Sequence, residues 1–545
     1  MFMISSNFIK YFYNKPNDNT YRQFCLFLCC LVVICGTAVF IGAVPTRIFG
    51  HDIFFLLDNG WRVVNGQRTH IDFTSPWGPV SFLVVGIGLI SSHNSVNAVG
   101  YGNAIFAFII ALWSYRLSRD RMGFIPRLLI CLYLALLVVS PYSLGWGVLN
   151  SGHAMFYNRY GYALLGLIMI EAFQRAGTDH QRREEWVGGI SSGAVAAIAL
   201  FLKANYFVAA VLLIGISVLF IRHSRWRFVG MIIGFSLAAL SLLSYLNFDI
   251  AAIQRDLEIA AGARAKSFHF KELTRKLWMN AAYFIFIVLL CIQSSRAIEK
   301  TKNLYSTFKL SLLGALVFCI DMLLLCSNQQ YSELPLTFIF SLFIVNNVIA
   351  DNRNITDVSV KGIPPHVSLT MIAGGVFFLF SLSMQFSGLA YGAYQKAWPS
   401  NLTSVAKFTE PRLATLLLYD NEGEPKSNGS HYVDYVNSGT RLLREKTGPY
   451  EKVLTMDMMN PFPCTLGRRP AIGGIAAAVY NYTLSDTHRP SDDTYFGNAD
   501  IVMVPKQPAS PSWFYDGYFR IYEPALHDRF RLAAESQMWY LYRRK

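Results

Sequence analysis

Long, nearly uncharged apolar runs recur along this chain, at Phe24–Val44, Gly100–Tyr115, Pro126–Tyr142, Gly161–Phe173, Val187–Leu202, Tyr206–Ile221, Phe228–Leu246, Ala281–Ile292, Leu310–Cys326, Pro335–Ala350 and Ser368–Phe386. They approach or reach the length that crosses a hydrocarbon core, roughly 17 to 25 residues. Lipid offers no partner to a bare N–H or C=O, so a spanning segment of this kind must be helical. The expected fold class is therefore an α-helical polytopic membrane protein. Composition agrees: 53% of residues are hydrophobic and only 15% charged, where a soluble domain carries about a quarter charged.

The charges that remain are informative by position. Basic residues cluster at Arg116/Arg119/Arg121/Arg127, Arg175/Arg182/Arg183, Arg222/Arg225/Arg227, Arg296/Lys300/Lys302 and Arg353/Lys361. Positive charge marks the cytoplasmic side, which leaves 143–160, 203–205, 247–278 and 327–334 outside. This alternation requires that Val80–Ile90, which is short, does not cross but lies as a re-entrant or interfacial helix. It predicts roughly 11 spans, with 12 or 13 as the alternative. The first 22 residues carry Lys10, Lys15 and Arg22. The apolar run after them is too long for a signal-peptide core, which predicts an uncleaved first span and a cytoplasmic N-terminus. The net charge of +14 (48 Lys and Arg against 34 Asp and Glu) is thus an orientation signal. No basic–aromatic platform supports nucleic-acid binding. Eight of the nine cysteines lie in apolar runs and only Cys464 in the polar tail, so neither a disulfide framework nor a CxxC metal site is expected.

After Phe386 no spanning run remains. The chain divides into a cytoplasmic segment 1–22, a multi-span domain 23–387 and an extracytoplasmic region 388–545, expected to be a small α/β domain. Tyr432–Arg444 reads as a helix capped by Ser430, with Gly448 beyond its end. Lys452–Met456, Ile501–Val504, Phe519–Tyr522 and Met538–Tyr542 read as strands.

Chemistry concentrates in the first external loop, 45–79. Asp52 stands close behind the first span. Asp58, Trp61 and Val64 follow at near-helical spacing, Gly60 and Gly66 break the helix, and a turn carries His70 and Asp72 before Pro76-Trp-Gly-Pro79. A carboxylate at a membrane–water boundary suits a general base or metal ligand for a substrate whose lipid tail stays in the bilayer. It equally suits loop solvation or helix capping, Asp58 especially.

Taken together, Asp52, the apolar-aromatic stretch after it, Asn65-Gly66, His70-Ile-Asp72-Phe and Gly78-Pro79 resemble the first external loop of the GT-C membrane glycosyltransferases. That superfamily includes protein O-mannosyltransferases and lipid A aminoarabinose transferases. The motif covers about 30 residues; the remaining likeness, a GT-C-like order of spans with a soluble external C-terminal domain, is one of layout. The resemblance implies a glycosyltransferase that moves a sugar from a polyprenyl-phosphate carrier to a lipid, polysaccharide or protein acceptor, on the external face of a bacterial inner membrane. It places the catalytic acid at Asp52, with Asp72 as a second functional acid. Many family members carry two adjacent acids; here Asp52 stands between His51 and Ile53, which puts any role for paired acids in doubt.

A leaving phosphate calls for cations. Lys203, the external group Arg264, Lys266 and His269, and Arg159 beside His153 and Asn158 are the candidates. A divalent cation shared between Asp52 and a phosphate is a further expectation, since no all-protein cage is visible. Asp321, inside an apolar run, supports the alternative of a transporter or lipid flippase. A structural role in polymer assembly is a third reading. No Walker, HExxH or GxSxG motif occurs.

Overall fold

The computed structural model describes residues 20–174, 181–221, 223–264, 270–297, 304–328, 330–351, 365–399, 407–420, 429–509 and 511–545. Lys266 and His269 lie outside these residues, as do Arg175, Arg222, Lys300, Lys302, Arg353 and Lys361. Helix α1 (Thr20–Ile41) leads into two short helices of the first loop, α2 (Asp52–Val64) and α3 (Pro79–Ser91). Six helices follow: α4 (Ala98–Ser118), α5 (Phe124–Val139), α6 (Phe156–Phe173), α7 (Gln181–Leu200), α8 (Ala204–Phe220) and α9 (Arg225–Tyr245). Then comes α10 (Ile250–Arg264), and after it α11 (Phe270–Ala297), α12 (Leu304–Ser327), α13 (Pro335–Asp351) and α14 (Pro365–Ala397).

Among the described residues, α1, the six helices α4 to α9 and the four α11 to α14 pack on one another as a bundle. Six of them (α1, α4, α9, α11, α12 and α14) are long and apolar enough to cross a membrane. One end of the bundle gathers the loops expected outside. There Ala43 N–H donates to Asn97 Oδ1, Gly78 N–H to Leu202 O, and Lys203 Nζ to Asn328 Oδ1. The opposite end gathers Arg116 with Glu184, Gly123 with Asn346 and Ser295 with Thr307. Helix α3 has Gly78 against Leu202 and, after a short turn, Asn97 against Ala43. Both of its ends therefore lie at the same end of the bundle, and it does not cross.

Glycine decides one seam. A Cβ on Gly189, Gly193, Gly230 or Gly234 would fall within 2.5 Å of a backbone oxygen of the facing helix, so α7 and α9 touch backbone to backbone, as small residues allow in membranes. Beside this seam Glu171 is buried. It accepts from Arg227 Nε at 2.6 Å and Nη2 at 2.7 Å, and from Ser192.

The C-terminal region holds α15 (Gly429–Lys446), β1 (Val453–Thr455), α16 (Phe462–Leu466), α17 (Asp492–Phe496), β2 (Ile501–Pro505), α18 (Ser512–Arg529), β3 (Phe530–Glu535) and β4 (Trp539–Arg544). The four strands order as β1-β2-β4-β3, with β1 and β2 parallel and the other pairs antiparallel. Two local expectations are corrected. Phe519–Tyr522 belongs to α18, not to a strand: Tyr515, Tyr518 and Tyr522 recur at helical spacing and are buried on one face, and that period overrides the aromatic run. The strand lies just after, at Phe530–Glu535. Helix α15 is capped from outside, since Asp420 accepts from both the N–H and the hydroxyl of Ser430. The bundle core runs unbroken into this region through Phe54, Tyr432, Phe462 and Trp539. A second cluster lies between the sheet and α18.

Candidate active site

The first loop is fastened to the C-terminal region by hydrogen bonds between residues more than four hundred positions apart. Trp61 Nε1 donates to Arg468 O, Asn59 Nδ2 to Ala476 O and Gln67 Nε2 to Pro470 O. Thr74 pairs with Gly474 and Ala476 through its backbone, and Gly473 N–H donates to Asp72 O. The strongest tie is Arg62, which is 1% exposed. Its Nε donates to Asp58 Oδ2 at 3.0 Å and its Nη1 to Gln67 Oε1, Ala471 O and Gly473 O. Asp58 is thus a structural counter-ion one helical turn from Arg62, and not a group that faces substrate.

Asp52 is different. It opens α2, where the helix dipole favours a negative charge. Its side chain is 19% exposed, His51 Nε2 is 4.0 Å away, and no described protein group donates a hydrogen bond to it. Loss of water around it raises its carboxyl above the ordinary range, and His51 opposes that rise. Such a carboxylate is a better proton acceptor than a solvated one. Asp52 lies within electrostatic reach of Tyr432, on α15, and of Tyr157, at the start of α6.

Tyr157 also links Asp52 to the cations. Lys203 Nζ sits 4.8 Å from the Tyr157 ring centroid, and Arg264 is in electrostatic reach of both Tyr157 and Lys203. Trp77 packs on Tyr157 with centroids 5.4 Å apart. Lys203 is held by Asn328 Oδ1 at 2.6 Å, and Asn205 bonds the same oxygen. Burial and then Arg264 press the Lys203 ammonium well below the ordinary lysine range, the response of a positive charge short of water and of a counter-ion. Arg264, the last residue of α10, lies over the Tyr482 ring at 5.7 Å.

The remaining sequence candidates have other tasks. Arg159 is fully buried and gives its donors to Tyr142 O, Leu137 O and Gln385 Oε1, with the Tyr142 ring 4.3 Å away. It fastens α6 to α5 and α14 and is not a phosphate ligand. His153 takes the Val44 N–H and pairs with Thr46, and burial lowers its imidazole to about 3, so it stays neutral. Asp72 accepts the Arg68 N–H at 2.7 Å and shapes the turn. Asp321 accepts the N–H and the hydroxyl of Thr337 and so caps α13. That is a structural use for one oxygen of an intramembrane acid. His70 is buried in left-handed backbone, φ 72°, and its Nδ1 meets Asp256 Oδ2 at 2.9 Å.

Asp256, Tyr157, Trp77, Asn328 and Tyr432 were not singled out in the sequence. Only Trp77, inside the loop motif, carried a signal that could have found it. Among the described residues no three His, Cys, Asp or Glu side chains gather to hold a metal. A divalent ion at Asp52 would have one carboxylate with a histidine beside it and would depend on substrate oxygens, so the residues present do not make a metal site by themselves.

No family model matches the chain, and no curated protein matches it in sequence. Three solved structures are similar in layout. ArnT from Cupriavidus metallidurans in the apo state gives a TM-score of 0.45 at 9% identity, covering 96% of this chain and 98% of that one. The same protein bound to undecaprenyl phosphate gives 0.41 at 11%, with the same coverage. The archaeal oligosaccharyltransferase AglB from Archaeoglobus fulgidus, in complex with an inhibitory peptide and a dolichol-phosphate, gives 0.39 at 11%, covering 94% of this chain and 74% of that one. All three scores lie below one half, and the roles of residues rest on the geometry described above.

Proposed function

We propose that this protein is a membrane glycosyltransferase that moves a sugar from a polyprenyl-phosphate carrier to a hydroxyl-bearing acceptor. The observation that carries the reading is Tyr157, which lies in electrostatic reach of a largely desolvated carboxylate (Asp52, with only His51 beside it) and of Arg264, and has Lys203 4.8 Å from its ring centroid. That is the charge layout a displacement at an anomeric carbon needs. The acceptor hydroxyl oxygen attacks that carbon and its proton passes to Asp52. The bond from the carbon to the phosphate oxygen breaks, and its electron pair leaves on the polyprenyl phosphate. Lys203 and Arg264 stabilise the charge that develops there. Lying at the bundle end that carries the C-terminal region, the site suits a lipid-borne donor held at the membrane surface. With the N-terminus cytoplasmic, that surface is the external face of a bacterial inner membrane.

Asp72 enters the proposal as a residue that shapes the loop, not as a second base. The test is transfer of label from a panel of polyprenyl-phosphate sugars in isolated membranes. The wild type should deplete one donor and Asp52→Asn should not, at equal protein level. A wild-type rate retained by folded Asp52→Asn would remove Asp52 from the chemistry.

A further inference from the structure

Helix α10 lies outside the bundle proper, yet it ends in Arg264. Its grip on the first loop is concentrated in two adjacent residues. Asp256, 1% exposed, accepts His70 Nδ1 at 2.9 Å and the Ser75 N–H at 2.8 Å through one oxygen, and pairs with Arg255 through the other. Arg255 Nη2 in turn donates to His70 O at 2.7 Å. His70 is therefore held at its ring and at its carbonyl by the same helix. Its left-handed backbone is a conformation that disfavours a non-glycine residue and persists only where the surroundings impose it. His70 N–H is also fixed, to Phe73 O. Farther along, Gly262 packs against His488 of the C-terminal region.

We infer that Asp256, through His70, is a positioning residue that sets Arg264 on α10 relative to the loop bearing Asp52, and so governs binding of the donor's phosphate. The inference rests on the glycosyltransferase reading above. A carboxylate bonded at once to a loop side chain and a loop N–H fixes both the distance and the rotation of its helix. A loose helix would let the cation drift, and misplacement by about 1 Å can cost roughly a hundredfold where charges must meet. Asparagine at position 70 is the conservative replacement. Its amide N–H falls near the place of His Nδ1, and Asn tolerates left-handed backbone better than most residues.

The experiment measures binding of a labelled polyprenyl monophosphate to the full-length protein in detergent micelles. It compares wild type, Asp256→Asn, His70→Ala, His70→Asn, Arg264→Gln and the double variant Asp256→Asn/Arg264→Gln, each checked for folding by its thermal transition. Asp256→Asn and His70→Ala should weaken binding by roughly tenfold or more, and His70→Asn should bind nearly as the wild type does. The double variant should bind no more weakly than Arg264→Gln alone, because Asp256 acts through Arg264. Additive losses, or folded Asp256→Asn that binds as the wild type while Arg264→Gln does not, would overturn the positioning role. A wild-type protein that binds no polyprenyl monophosphate would instead overturn the phosphate site on which the inference stands.

Discussion

Arg62→Ala tests how the loop is held. The substitution removes four donated hydrogen bonds, to Asp58, Gln67, Ala471 and Gly473. It also removes a guanidinium 5.0 Å from the Phe73 ring. The larger loss is what stays behind: Asp58, 3% exposed, becomes a buried carboxylate with no cation. Breaking a buried pair in this way costs about 3 to 5 kcal/mol. A polytopic protein does not unfold in one step, so the loss should be read locally, by hydrogen exchange across 59–76 and 468–476. At about 1.4 kcal/mol per tenfold change, exchange there should rise roughly a hundredfold or more, while the α7–α9 seam keeps its protection. Replacing both partners by leucine should recover part of the loss, because no charge is then stranded. Protection within a few-fold of wild type in Arg62→Ala would refute the view that this pair holds the loop to the C-terminal region.

Four further outcomes follow. Asp52→Asn should lower kcat by roughly 10²- to 10⁴-fold without weakening donor binding. Because the proposed base works deprotonated and the Asp52 carboxyl is raised, the acid limb of the rate should lie above the ordinary carboxylate range, near 4. His51→Gln, which removes the group that opposes the rise, should move that limb to higher pH, as a pH–kcat/KM profile would read. On the alkaline side, polyprenyl monophosphate binding should fade below the ordinary lysine range as Lys203 loses its proton. Arg264→Gln should push that fading upward by removing the like charge; Lys203→Met should abolish the titration, seen in binding curves across pH. Asp321→Asn keeps an oxygen for Thr337 and should leave sugar transfer near wild type, whereas a transporter driven through this acid would fail in a flux assay.

Reading the sequence worked where one residue's own neighbours decide the matter. Apolar length located the bundle helices, and the short run after Pro79, set against the spacing of basic loops, predicted the helix that fails to cross. It failed where a side chain's partner lies far along the chain. Arg159 reads as an external cation, yet its partners sit on α5 and α14 and turn it inward. Asp256 reads as one acid among the charges of an external loop; its value comes from His70, 186 residues away. Asp321 looks functional because an acid in an apolar run is expensive, and only the fold shows that it meets the first turn of α13. Lys203 stood out because an external lysine runs against the orientation bias. Its neighbour Asn328, 125 residues on, left no such trace.

The fastening of the first loop to 468–476 has a temporal side. The loop bearing Asp52 is made early, but its buried arginine has no carbonyl partners until the chain has been built past Gly473. A growing chain that has inserted all its bundle helices still lacks the wall against which α2 rests. The loop bearing Asp52 therefore takes its final shape only near the end of synthesis, and every shorter form of the chain leaves the Arg62 guanidinium without those carbonyls.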